Sequence, residues 1–193
     1  MKWQLLERQG YHKKMSDPKR ILKKGYVQVY TGNGKGKTTA AIGLAIRAAG
    51  CGMKVLIAQF MKLQECSEIK ALERFSDLIT LKKYGQIRFI RKKPVQKDIE
   101  LAKMGMEEVK QMLSSGQYDL VILDEINVAE FFKLISIDEI IALIETKPKH
   151  VELILTGRKT DPRIIEKADL VTEMREIKHY YASGIQARKG IEN

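Results

Sequence analysis

Cysteine is scarce in this chain. Its 193 residues include two, Cys51 and Cys66, at a spacing that makes no metal-type pair. A reduced, cytoplasmic protein is the simple reading, with both thiols expected to be small buried or half-buried groups. Long apolar runs are missing too. No stretch free of charged residues exceeds ten, so no membrane-spanning helix is expected. The N-terminus has no apolar signal core, and secretion is not expected. Internal repeats and low-complexity segments are absent. What is present suits one ordinary globular domain: 44% hydrophobic and 31% charged residues, too apolar for disorder along the whole length.

The net charge of +11 is unevenly spread. Residues 1–24 carry +6 and residues 82–97 carry +7, which leaves −2 for all the others. Basicity therefore belongs to an N-terminal arm and one internal segment. Nucleic acid, a small polyanion such as ATP, or plain solvation of lysines would each account for it. No recognised nucleic-acid motif accompanies the charge.

Residues 1–24 read as a basic arm, either a flexible tail or a flap over a ligand, and residues 25–193 as the domain proper. Tyr26–Tyr30 alternates and is β-branched, as a strand does. A Gly-rich turn follows, then a helix over Thr38–Ala49. Strands are expected at 54–60, 78–82, 120–123, 151–155 and 170–174, with helices at 67–76, 97–114, 137–145 and 161–168. The strands are short, continuous apolar runs, as in sheets covered on both faces. The pattern predicts an α/β fold of three layers with a mainly parallel sheet.

The strongest local signal is Thr31-Gly32-Asn33-Gly34-Lys35-Gly36-Lys37-Thr38-Thr39, between a predicted strand and a predicted helix. Glycines let backbone N–H groups approach phosphate oxygens, and the helix N-terminus adds partial positive charge. Lys37 would reach phosphate oxygens, and the Thr38 hydroxyl would ligate Mg²⁺. Thr31 stands where the common pattern has glycine. A second signal is Leu120-Val121-Ile122-Leu123-Asp124-Glu125, an apolar strand ending in acids that would sit near Mg²⁺ (or Mn²⁺). Asp124 could instead begin a helix as its cap. Spacing alone supports a Mg-nucleotide-binding α/β domain; hydrolysis, with Glu125 positioning water, and transfer chemistry both stay open.

Gly32 through Ala41 resembles the loop of ATP:corrinoid adenosyltransferases. Gln59-Phe60-Met61-Lys62, Asp124-Glu125-Ile126-Asn127, Thr156-Gly157-Arg158 and the tail from Lys178-His179-Tyr180 to Gly184-Ile185-Gln186-Ala187-Arg188-Lys189-Gly190-Ile191 resemble further motifs of that family. The resemblance spans about residues 25–193. It implies a P-loop NTPase-like, RecA-like sheet. It also implies transfer of the 5′-deoxyadenosyl group of ATP to the cobalt(I) of a corrinoid, with release of triphosphate. The nucleophile is then the substrate's own metal, which fits the lack of a Ser, Cys or His catalytic constellation.

On the same resemblance, ATP is held by Thr31 through Thr39 with Lys62 and Arg158. Lys37, Thr38 and Glu125 serve catalysis, and Thr38, Asp124 and Glu125 hold Mg²⁺. Tyr84 and Phe89 face the corrinoid, ordinary core packing being the other reading of both. His179 is expected to be structural, and the basic arm to fold over the corrinoid. A homodimer and a reductase partner that supplies cobalt(I) are implied as well. Leu63 departs from the family, which commonly has glycine there. The alternative function is a nucleotide-dependent nucleic-acid-binding module or a plain P-loop ATPase.

Overall fold

The computed structural model describes residues 21–61, 67–86 and 93–192. Six strands form one sheet: β1 (Val27–Thr31), β2 (Val55–Phe60), β3 (Ile79–Tyr84), β4 (Leu120–Asp124), β5 (Glu152–Thr156) and β6 (Leu170–Glu173). Their spatial order is β3-β2-β4-β5-β1-β6. Every pairing is parallel, so the sheet is parallel throughout rather than mainly so. The helices are α1 (Lys37–Gly50), α2 (Ser67–Leu72), α3 (Gln96–Ser114), α4 (Ile126–Phe131), α5 (Ile137–Thr146) and α6 (Pro162–Lys167). Short 3₁₀ turns lie at Glu73–Phe75 and Tyr180–Ser183.

The period of two along each strand divides the core into two layers. Val55, Ile57, Leu120, Ile122 and Ile154 face α1, whose buried positions Ala41, Ala45 and Ala48 let the helix lie close to the sheet. Leu56, Ala58, Val121, Leu123, Leu153 and Leu155 face the other way. There they meet Ala102, Met106, Val109 and Leu113 of α3 and Ile140, Leu143 and Ile144 of α5. Helices on both faces give the three-layer α/β architecture of P-loop NTPase-like proteins.

Three local readings need correction. The edge strand β6 is not covered: all four of its residues are exposed, including Leu170 and Val171. Cys51 is exposed rather than buried, because it sits just past the end of α1 where the chain turns away at Gly52. Asp124 is the last residue of a strand rather than a helix cap. The unexpected short helix α4 begins after it, with Glu125 at the cap position.

α5 begins at a reciprocal cap: the Ser136 hydroxyl accepts from the Glu139 amide at 3.2 Å while the Glu139 carboxylate accepts from the Ser136 amide at 2.9 Å. No helix among the described residues is long and apolar enough to cross a membrane.

Candidate active site

In parallel α/β sheets, ligands bind beyond the carboxyl ends of the strands. Here the ends of β1, β2, β4 and β5 share a conformational signature. Gly32 (φ 92°) and Gly36 (φ 118°) follow β1, Met61 (φ 70°) follows β2, Glu125 (φ 61°) follows β4, and Gly157 (φ 139°) follows β5. Non-glycine residues held at positive φ are strained, and such strain concentrates at functional sites.

The phosphate-loop sequence closes on itself and on the chain that follows β6. Gly34 N–H donates to the Met174 carbonyl at 2.7 Å. A Cβ at Gly32 or Gly34 would run into that same carbonyl, so both glycines are required by close approach. Gly36 caps α1 in the left-handed conformation. Thr31 replaces the usual first glycine without strain because it is still a strand residue, paired with Glu173. Its hydroxyl accepts from Thr160 Oγ1 at 2.7 Å.

Lys37 is buried, and its ammonium donates to Gly32 O at 2.8 Å and Gly34 O at 2.7 Å. The side chain thus bridges its own loop at the place where phosphate oxygens are to be met. Asp124, 1% exposed, gathers three donors. Thr38 Oγ1 reaches Oδ1 at 2.8 Å, Thr156 Oγ1 reaches Oδ1 at 2.7 Å, and Gln59 Nε2 reaches Oδ2 at 3.2 Å. The Glu125 amide donates to Thr156 Oγ1 at 3.0 Å, tying the ends of β4 and β5. β5 lies between β1 and β4 in the sheet, so Thr156 stands where it can brace the acid beside the loop.

These groups border a cleft of about 660 Å³. Of the residues expected to bind ATP or serve catalysis, Gly34, Lys35, Gly36, Lys37, Thr38, Thr39, Glu125 and Arg158 line it. Thr31, Gly32 and Asn33 support the loop from outside the lining, and Asp124 lies beneath it. Lys62 and Phe89 fall outside the described residues.

Tyr84 does not face the cleft. It is 3% exposed and packs in the core, with its ring centroid 5.5 Å from that of Phe60. Its hydroxyl donates to Glu108 at 2.8 Å. Burial first, then the Glu108 carboxylate, raises its pKa well above the ordinary tyrosine value. Of its two readings, core packing is the one that matches the structure, because Gly105 of α3 leaves room for the ring.

Three further groups at the cleft lie in segments that resemble the family but were given no binding role there. Gln59 belongs to the Gln59–Lys62 segment and is the polar residue among apolar strand neighbours. His179 caps the turn at Tyr180–Ser183, its Nδ1 accepting from the Tyr181 amide at 3.1 Å. The tail residues Gly190–Glu192 form part of the wall. Lys35 Nζ holds that tail, donating to Ile191 O at 2.7 Å and to Glu192 at 3.2 Å.

Among the described residues no group of three or more His, Cys, Asp or Glu side chains could hold a metal by itself. The donor set instead suits a hard cation shared with phosphate: a hydroxyl beside a carboxylate, at the end of a phosphate-binding loop.

The family described as ATP:corrinoid adenosyltransferase BtuR/CobO/CobP matches residues 23–193. The chain is similar to a corrinoid adenosyltransferase of Pseudomonas aeruginosa, 36% identical over 170 residues, which cover 88% of this chain and 84% of the relative. It is also 36% identical to one from Sinorhizobium sp over 172 residues, 88% of this chain and 80% of that one. A third, from Escherichia coli, is 33% identical over 170 residues, 88% and 86% of the two chains.

Proposed function

The chain belongs to the ATP:corrinoid adenosyltransferase family and transfers the adenosyl group of ATP to a corrinoid, and from that premise we propose how its own residues carry the reaction. The observation that carries the reading is the cleft itself, bordered by a glycine-rich loop and a buried lysine, with the braced Asp124 carboxylate just beneath its lining.

The triphosphate of ATP lies along Gly32 through Thr39. Lys37 exchanges its two loop carbonyls for phosphate oxygens, and Arg158 on the rim meets the outer phosphates. The electron pair of the corrinoid's cobalt(I) forms the cobalt–carbon bond at the 5′-carbon. The bond from that carbon to its oxygen breaks, and triphosphate departs with the bonding electrons. No proton moves, so the site needs no general base. Its task is to stabilise charge that gathers on the leaving group, which loop N–H groups and Lys37 do from fixed positions.

Mg²⁺ fits the Thr38–Asp124 pair. The threonine oxygen would hold the ion while its hydrogen stays pointed at Asp124, and Glu125 would complete the protein's share. When bound, the cation neutralises phosphate charge. Phe89 remains the aromatic proposed for the corrinoid. A homodimer is supported by the exposed apolar residues of β6 and the tail, Leu170, Val171, Ile177 and Ile185 among them. Cytoplasmic location and a reductase partner go with the need to keep cobalt in its low-valent state.

The test is product analysis with ATP, Mg²⁺ and chemically reduced cobalamin. A light-sensitive cobalt–carbon product and intact triphosphate are expected. ADP and phosphate formed without corrinoid would overturn the reading in favour of a hydrolase.

A further inference from the structure

β2 (Val55–Phe60) reads Val-Leu-Ile-Ala-Gln-Phe, and all six residues are buried. Gln59 is its one polar member, 2% exposed, in the register position opposite Asp124 of β4. Its Nε2 donates to Asp124 Oδ2 at 3.2 Å. Only an N–H can face a carboxylate in this way, so the chemistry fixes which end of the amide is which. The other end, Oε1, is then a buried acceptor, and among the described residues it has no hydrogen-bond partner. Leaving such an oxygen unmet carries a desolvation cost that leucine or methionine at this position would avoid. Gln59 also borders the cleft, as Thr38 and Glu125 do.

We propose that Gln59 is a positioning residue for the hydrated cation that accompanies ATP. Nε2 fixes the orientation of Asp124, and Oε1 accepts a hydrogen bond from a cation-bound water. Two features favour water over a nucleotide hydroxyl. The amide is already anchored to Asp124, the carboxylate proposed for the cation. Mg²⁺ also keeps several waters when it binds phosphate, and these need acceptors. Asp124 Oδ1 accepts from Thr38 and Thr156, and Gln59 donates to the other oxygen. Outer partners of this kind commonly change metal affinity by about 10–100-fold.

This inference rests on the Mg-nucleotide reading of the same site, and the experiment separates the two. ATP binding to the full chain is measured by calorimetry, without corrinoid, across a Mg²⁺ titration and in EDTA. In the wild type, ATP binding should tighten with Mg²⁺; if it does not, the reading of the site itself fails. In Gln59→Met, which keeps the volume and removes both polar ends, the Mg²⁺ midpoint should rise about tenfold while binding in EDTA is unchanged. An unchanged midpoint overturns the proposal, and so does equal weakening with and without Mg²⁺, which would assign Oε1 to the nucleotide. Thermal unfolding with and without MgATP gives the same comparison for any variant too weakly folded for calorimetry.

Discussion

The Thr38 hydroxyl donates to the Asp124 carboxylate across 86 residues of sequence, at 2.8 Å, and joins the start of α1 to the end of β4. Thr156 donates to the same oxygen at 2.7 Å, so the carboxylate is held from the start of α1 and the end of β5 at once. Thr38→Ala removes both the brace and the hydroxyl oxygen. Adenosyl transfer should fall about 100-fold, equivalent to roughly 3 kcal/mol of barrier. Thr38→Ser keeps the oxygen and should stay within a few-fold of wild type. Initial rates over a Mg²⁺ series check this, and a Thr38→Ala enzyme of unchanged rate would sink the cation role.

Lys37 plays two parts that mutation can separate. Its ammonium ties Gly32 and Gly34 together, and it is poised for phosphate. Gly34 lines a cleft that water can enter and Gly32 adjoins it, so the folding cost of Lys37→Ala should be small, about 1 kcal/mol or less. Transfer should fall by roughly 100-fold or more. Lys37→Arg should not rescue it, because a planar guanidinium cannot replace a compact ammonium inside the loop. Thermal melts beside turnover rates give the two readings. A Lys37→Ala variant that alkylates reduced cobalamin at the wild-type rate would end the assignment.

The site was legible in the sequence to the extent that its chemistry is local. Gly36-Lys37-Thr38 and the strand ending at Asp124 announce themselves because backbone approach and metal binding need those residue types at fixed spacing. The alternation of strands and helices also follows from apolar run length. What stayed hidden depends on partners distant in sequence. Nothing near Gln59 says that Asp124 lies opposite it, and nothing near Glu192 says that Lys35 holds it. Tyr84 was read two ways for the same reason: only Gly105, 21 residues later and on another element, shows where the ring goes. The edge position of β6 is likewise a matter of strand order, which apolar pattern does not encode.

Glu125 keeps a left-handed backbone (φ 61°, ψ 19°) that glycine adopts freely. Holding a non-glycine residue there costs on the order of 1 kcal/mol. Glu125→Gly should therefore fold at least as stably as wild type while losing activity, about tenfold or more if the carboxylate serves the cation. Glu125→Val, branched at Cβ, should lose both stability and activity. Urea unfolding and turnover, measured together, check the pairing; equal activity in the wild type and Glu125→Gly would remove Glu125 from the site.

Glu192 closes the tail onto the loop. It accepts from Lys35 at 3.2 Å and from Arg188 Nη2 at 3.1 Å, and the Tyr180 hydroxyl donates to it as well. The carboxylate is 14% exposed against 43% for the lysine, so the contact is partly screened and worth about 1 kcal/mol. Glu192→Ala should weaken ATP binding about fivefold through the loosened wall, with the melting temperature nearly unchanged. Trypsin should cut near Arg188 faster, and ATP should slow that cutting in the wild type more than in the variant. Unaltered ATP affinity would show that the tail only packs beside the site.

Gly105 and Tyr84 supply the sharpest test of the core. A Cβ at Gly105 would overlap the tyrosine ring, which is itself wedged against Phe60. Gly105→Ala should cost about 1–3 kcal/mol through overpacking. For a chain of this size each kcal/mol lowers the melting temperature by roughly 2–4 °C. Tyr84→Phe keeps the ring and loses the 2.8 Å bond to Glu108, for about 1 kcal/mol. Its KM for the corrinoid should not change, since the ring does not reach the cleft. Tyr84→Ala removes the obstacle, so adding Gly105→Ala to it should cost much less than in the wild type. That shortfall is the coupling expected of two residues in contact. Additive losses, or a raised corrinoid KM in Tyr84→Phe at unchanged stability, would return Tyr84 from the core to the corrinoid.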